Sequence, residues 1–113
     1  MAETCLFCRI VAGEIPAQIV AENRACVAFR DVNPQAPLHV LVVPRQHVAA
    51  LSEADDVMLL GEVARMAAHV AEQEGYGESG FRTVVNEGRD AGQTVPHLHM
   101  HVLAGRGLGW PPG

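Results

Sequence analysis

The chain has 113 residues, 49% of them apolar, and a formal charge of −5 with histidine neutral. That is enough for one buried core, read as a single domain over residues 1–113, and the acidic balance excludes broad nucleic-acid or membrane-surface binding while leaving room for a small anion held by local groups. No apolar window reaches the roughly 18 residues of a membrane-spanning helix, and "MAETCLFCRIV" lacks the profile of a secretory signal, so a cytoplasmic protein without a membrane or nucleic-acid partner is expected.

In chain order, a short helix is expected at Leu6–Ala12, followed by a turn at "GEIP". "QIVAEN" (Gln18–Asn23) and "ACVAFRD" (Ala25–Asp31) predict two strands, the second with Cys26, Ala28 and Arg30 opposite Val27 and Phe29. The prolines of "VNPQAP" make a loop. "LHVLVVP" (Leu38–Pro44) is almost continuously apolar, as in a strand buried on both faces. The long helix follows in "SEADDVMLLGEVARMAAHVAEQEG", with Ser52 as its cap, Val57, Leu60, Ala64, Ala67 and Ala71 as its apolar stripe, and Gly75 and Gly77 at its end. "GFRTVVNEG" (Gly80–Gly88) is a fourth strand, "GRDAGQ" a glycine-rich loop, and "PHLHMHVLAG" (Pro96–Gly105) a fifth strand. Most links are too short for crossover helices, so the strands are expected to be antiparallel and the class α+β.

Three of the six histidines stand at 97, 99 and 101. Alternate strand residues share a face about 6.6–6.8 Å apart, which puts the three imidazoles together and turns Leu98, Met100 and Val102 to the core. Such a face suits a zinc site. It equally suits catalysis, with an imidazole as nucleophile or general base whose second ring nitrogen is held by an acceptor that fixes the tautomer. The preceding loop favours catalysis: Asn86, Gln93 and Thr94 offer polar side chains, and Gly88 and Gly92 let backbone N–H groups approach an oxyanion. No GxxxxGK[ST] loop is present. His39, inside a buried strand, needs a partner and is placed behind the histidine face. Cys26 reads as core and His69 as an exposed helix position. Cys5 and Cys8 form a lone CxxC, so a four-cysteine ribbon is excluded, but two histidines drawn from the six would complete a tetrahedral zinc site. A redox pair and two unliganded thiols are the rivals.

"HLHMHVL" resembles the alternating histidine motif of the histidine-triad (HIT) superfamily of nucleotide hydrolases and transferases. "CRIVAGEIPAQIV", "DVNPQAPLHVLVVPRQH", "VVNEGRDAGQTVPHLHMHVLAGR" and "WPPG" extend the likeness over most of the chain and look like the Hint branch, which is phosphoramidase-like. The resemblance implies a five-stranded antiparallel sheet with one long helix and a short N-terminal helix, continued to ten strands across a homodimer. It also implies cleavage of nucleoside 5′-phosphoramidates or related adenylated compounds through a nucleotidyl-histidine intermediate, releasing a nucleoside monophosphate such as AMP. His99 would be the nucleophile, His101 a phosphate-side partner, His39 a relay behind them, and Thr94, where Ser is frequent, a proton donor. Asn86, Gly92, Gln93 and Thr94 would surround the phosphate, Asp31 would hold the ribose, and Val32, Phe7, Ile10 and Phe29 would approach a purine. Residues 106–113, with Trp110, would form a tail reaching towards the partner's site. In some members zinc is bound by residues matching Cys5, Cys8, His47 and His97, which would make zinc structural and leave the chemistry without a cofactor. The "WPPG" tail disfavours a dinucleoside polyphosphate hydrolase of the Fhit branch. A nucleotide-binding scaffold with little catalysis is the alternative of another class.

Overall fold

The structure is a computed structural model and describes residues 4–113, so the first three residues of the expected domain lie outside it. Helix α1 (Leu6–Val11) precedes strands β1 (Ile19–Glu22), β2 (Cys26–Arg30) and β3 (Leu38–Pro44). Helix α2 (Val57–Gln73) follows, and then β4 (Phe81–Val84) and β5 (Met100–Ala104). The strands form one sheet in the order β1-β2-β3-β5-β4, and all neighbouring pairs are antiparallel. This is the expected α+β architecture, with β1 and β4 at the open edges. Asn23 makes the first hairpin: its Oδ1 accepts from the N–H groups of Ala25 and Cys26 at 2.9 and 2.8 Å, the local bond for which Asn is favoured in turns.

All seven residues of β3 are buried, because both faces of the sheet centre are covered. Leu38, Val40 and Val42 pack with Cys26, Ala28, Val102 and Ala104 against Val63, Met66, Ala67, Val70 and Ala71 of α2. On the other face Leu41 and Val43 pack with Val27, Phe29, Cys5 and Phe7. Period-two alternation therefore splits each central strand between a helix-covered face and a second face that α1 covers only in part. His39 and His101 fall on that second face. Leu41 pairs with His101 and His39 with Leu103, so the two histidines are diagonal neighbours across the ladder.

Four expected features shift, the first being the fourth strand, which spans Phe81–Val84 and stops short of Gly88. The long helix starts at Val57, not near Ser52. Asp56 caps it, with Oδ1 accepting from Met58 and Leu59 N–H at 3.0 and 3.3 Å. Ser52 lies in a 3₁₀ turn at Leu51–Glu53, and its N–H and hydroxyl both donate to Glu87. The buried stripe of α2 is Leu59, Val63, Met66, Ala67, Val70 and Ala71, whereas Val57 is 77% exposed and Ala64 is exposed. Burying a Val, Leu or Met is worth about 1.5–3 kcal/mol, so the stripe with larger side chains wins over the alanine-rich one. Finally, β5 starts at Met100, not Pro96. Its ladder with β3 begins at Met100–Val42, two residues before Pro44, which has no N–H to extend it. Upstream, Leu98 N–H donates instead to Val48 O. His101 is thus in the ladder, while His97 and His99 approach it. Leu98 still turns to the core, packing with Val48 and Leu59. Gly75, with φ +95°, carries the chain out of α2 in a conformation open to glycine.

Candidate active site

The imidazoles form two groups. His99 and His101 have ring centroids 5.1 Å apart, and His101 and His39 5.2 Å apart. His97 instead stands 5.0 Å from His47. The expected shared face is therefore divided between two neighbourhoods.

Hydrogen bonds fix the tautomers of the first group. Gln35 N–H donates to His39 Nδ1 at 3.0 Å, so the His39 proton is on Nε2. His39 Nε2 lies 2.9 Å from His101 Nδ1 and donates to it, with the Asp31 carboxylate 3.4 Å away. His101 must then carry its own proton on Nε2, a buried donor that has no acceptor among the described residues. His99 Nδ1 is 2.7 Å from the carbonyl oxygen of His97, so this nitrogen carries the proton and donates. Nε2 of His99 keeps its lone pair and makes no hydrogen bond within the described residues. Burial holds His101 neutral, lowering its pKa to about 4, and the neighbouring His99 and His39 add to the effect. Burial also lowers His39, against the opposing pull of Asp31.

His99 and His101 border a cleft of about 900 Å³ whose lining includes Phe7, Ile10, Phe29, Asp31, Val32 and Thr94. It is apolar at the α1 end and polar at the histidines, the usual make-up of a small-molecule site. Leu6, Ile15, Pro16, Ala17, Gln18, Arg30, Leu41 and Val95 also contribute, none of which stood out in the sequence. His101 borders a second cleft of about 460 Å³ with His39, Asn86, Arg82, Arg106 and the tail residues Leu108, Gly109, Pro111, Pro112 and Gly113. Arg82 Nη2 holds the tail by donating to Leu108 O and Gly109 O, and Arg106 Nε donates to Gln35 O. Gly92, Gln93 and Trp110 line neither cleft. The Gln93 amide ties its loop to the segment after β3: Nε2 donates to Ala49 O and Val95 O, and Oε1 accepts from Gly88 N–H. Trp110 is 83% exposed.

The second group joins Cys5, Cys8, His47 and His97, whose ligand atoms all lie within 4.8 Å of one another. Cys5 Sγ is 3.3 Å and Cys8 Sγ 3.5 Å from His97 Nδ1, and Cys8 Sγ is 3.2 Å from His47 Nδ1. Tetrahedral zinc, with bonds of about 2.3 Å to sulfur and 2.0 Å to nitrogen, requires S···N separations of roughly 3.5 Å. His97 Nε2–H donates to Pro44 O at 2.9 Å, so its unprotonated Nδ1 faces the sulfurs, the tautomer that ligation needs. The donor set fits zinc. Without a cation, burial and the Cys5 thiol raise the Cys8 pKa, a balance that a nearby dication reverses. Asp31, His39 and His101 also come close enough to hold an ion. Their protons argue otherwise, since Gln35 N–H occupies His39 Nδ1 and forces the His39 proton onto the nitrogen that would bind the metal. Burial pushes Cys26 up to about 11, as suits an inert core thiol.

This sheet, with histidines alternating into a cleft beside its last strand, defines the HIT class of proteins. The HIT domain family profile matches residues 12–108. An uncharacterized HIT-like protein of Synechococcus elongatus is 52% identical over the full length of both chains. A HIT family hydrolase from Legionella pneumophila superposes with a TM-score of 0.93 at 46% identity, covering 96% of this chain and 99% of that one. A histidine triad nucleotide-binding protein from Candida albicans (TM-score 0.83, 31% identity, 95% and 82% covered) is similar too. So is a Zn-bound histidine triad family protein from Mycobacterium smegmatis (0.82, 30%, 94% and 78%). The chain belongs to the HIT family.

Proposed function

We propose that this protein is a nucleotide-binding hydrolase that cleaves nucleoside 5′-phosphoramidates or related adenylated compounds through a covalent intermediate on His99. The observation that carries this is the 2.7 Å bond from His99 Nδ1–H to His97 O, which leaves Nε2 free beside the cleft. The similarity to a HIT family hydrolase and to a nucleotide-binding HIT protein supports the same class.

In this reading a purine nucleoside occupies the apolar end of the cleft, against Phe7, Ile10, Phe29 and Val32, with Asp31 near the ribose hydroxyls. His99 Nε2 attacks the α-phosphorus. The imidazole becomes cationic, and its Nδ1–H stays on the His97 carbonyl, which stabilises that charge. The buried His101 Nε2–H finds its acceptor in a phosphoryl oxygen, a donor already in place as charge develops. Asn86, which borders the second cleft with His101, would add a polar group on that side. The phosphorus–nitrogen bond breaks, and Thr94 passes a proton to the departing amine. Water then attacks phosphorus, releases the nucleoside monophosphate and returns His99 to its neutral form, while the water proton restores Thr94. Gln93 acts by shaping the loop.

Cys5, Cys8, His47 and His97 would hold zinc, which ties α1 to the sheet and takes no part in the transfer. The similarity to a Zn-bound family member supports this. We further propose a single domain, residues 1–113, that forms a homodimer with a ten-stranded sheet. The open edge at β4, with Phe81 39% exposed, can accept such a partner. In the dimer, tail residues 106–113 with Trp110 would help shape leaving-group preference.

The test is to compare turnover of an adenosine 5′-phosphoramidate and a diadenosine polyphosphate by the wild type and by His99→Ala. Preference for the first substrate, abolished in a folded variant, is expected. A preference for the polyphosphate points to the Fhit-like reaction, and undiminished turnover by His99→Ala removes the proposed nucleophile.

A further inference from the structure

We propose that Phe7 is a positioning residue for His99, and that metal binding at Cys5, Cys8, His47 and His97 governs the nucleophile through Phe7 and through the His97 backbone. This rests on the reading of His99 as the nucleophile.

His97 acts at both places. Its Nδ1 faces the two sulfurs, and its carbonyl oxygen holds the His99 proton. The Nε2–H bond to Pro44 O ties the same ring to the end of β3. Ligation through Nδ1 therefore fixes a residue whose backbone is the acceptor for the nucleophile.

Phe7 makes the second link. It sits between Cys5 and Cys8 in the chain and is the buried residue of α1. Its ring meets His99 edge-on at 5.1 Å, His97 at 5.9 Å and Phe29 at 5.5 Å. A helix of six residues does not hold itself together. Here Cys5 Sγ caps it by accepting from Cys8 N–H, and the same sulfurs face the ligand histidines. When the four ligands are held by a metal, α1 is pinned and Phe7 with it. When they are not, weak thiol–imidazole contacts remain, and the His99 ring loses one of the walls that stop it turning. A ring that turns gives up its bond to His97 O, so nothing holds the proton on Nδ1 and solvent exchange populates both tautomers, while the free lone pair leaves the cleft.

The experiment uses the full chain loaded with zinc, the same protein after chelation, His47→Ala and Phe7→Leu. His47 is exposed and lines neither cleft, so its removal disturbs the metal ligands alone. ¹⁵N-detected NMR of the imidazoles reports the His99 tautomer, and kcat and KM are measured separately. Zinc-loaded wild type should show one His99 tautomer, protonated at Nδ1. Chelated protein and His47→Ala should show a mixture, with kcat lowered roughly 10- to 100-fold, as expected for a reacting group displaced by about 1 Å, and KM nearly unchanged. Phe7→Leu should keep its zinc and still show the mixture, and the tautomer decides in that variant because Phe7 also lines the cleft. If His47→Ala does not fold, the chelated protein and Phe7→Leu carry the test. The proposal is overturned if the wild type takes up no zinc, or if His99 keeps a single tautomer and its kcat when the metal is removed or Phe7 is replaced. Failure of the nucleophile reading is recognised separately, by turnover that survives His99→Ala.

Discussion

His39 Nε2 and His101 Nδ1 stand 2.9 Å apart with one proton between them, and the Gln35 amide on the far side of His39 decides which nitrogen carries it. The chain of bonds leaves His101 with a buried N–H pointing at no acceptor of the described residues. In the proposed reaction a phosphoryl oxygen would complete it, and His39 would contribute to phosphate recognition without touching the phosphate.

His39→Ala should therefore lower kcat on a phosphoramidate substrate. Loss of such a bond costs about 1–3 kcal/mol, or roughly 5- to 150-fold. His39→Gln, whose amide can donate to His101 Nδ1, should recover part of the loss. Equal activity in all three proteins would remove His39 from the account.

The same network makes stability depend on pH. In the unfolded chain His101 takes up its proton near 6.5, and in the folded protein near 4. The unfolded state binds more protons between these values, so stability is full above about 6.5 and falls as the pH is lowered towards 4. Below that the slope due to His101 vanishes. His39, also lowered by burial, acts in the same sense. Thermal melts across this range should show Tm falling on acidification, less steeply in His101→Asn. An identical slope in the variant would place the dependence elsewhere.

Zinc should be found at about one atom per chain for a closed four-ligand site. Chelation should lower Tm by roughly 5–15 °C, since each kcal/mol of stability corresponds to about 4–8 °C in a domain of this size. Cys8→Ser should melt like the chelated protein and gain nothing from added zinc. Unchanged melts with and without metal would reject the structural role.

Much of this was legible in the residues. The apolar run Leu38–Pro44 announced a strand covered on both sides, and the alternation of Cys26 and Ala28 with Val27 and Phe29 matches the two observed clusters. The α2 stripe was harder, because Val57, Leu60 and Ala64 share the helical spacing of Leu59, Val63 and Met66, and only side-chain volume separates the two faces. The late start of β5 follows from Pro44 on another strand, a partner that local periodicity does not reveal. The tautomer locks were the least legible. Gln35 N–H, Pro44 O and His97 O are backbone groups, and no residue type marks them. Gln93 looked like a phosphate ligand because its amide can donate, yet its oxygen is used by Gly88 N–H and its nitrogen by the distant Ala49 carbonyl.

Gly105, just beyond β5, provides a test of the fold. Its φ is +96°, and a Cβ there would lie 2.7 Å from Cβ of Pro37. Gly105→Ala should cost about 1–3 kcal/mol from the backbone conformation, with more from the clash, and denaturant melts should show it. A variant as stable as the wild type would mean that the Pro37 loop does not close on this turn.

The most direct measurement is mass spectrometry of the protein denatured at alkaline pH, where a phosphorus–nitrogen bond to imidazole survives, during turnover of an adenosine phosphoramidate. One nucleoside monophosphoryl group should appear on the peptide containing His99, assigned to His99 by fragmentation and lost in His99→Ala. The same group on another residue, or none while product accumulates in a pre-steady-state burst, would contradict the account.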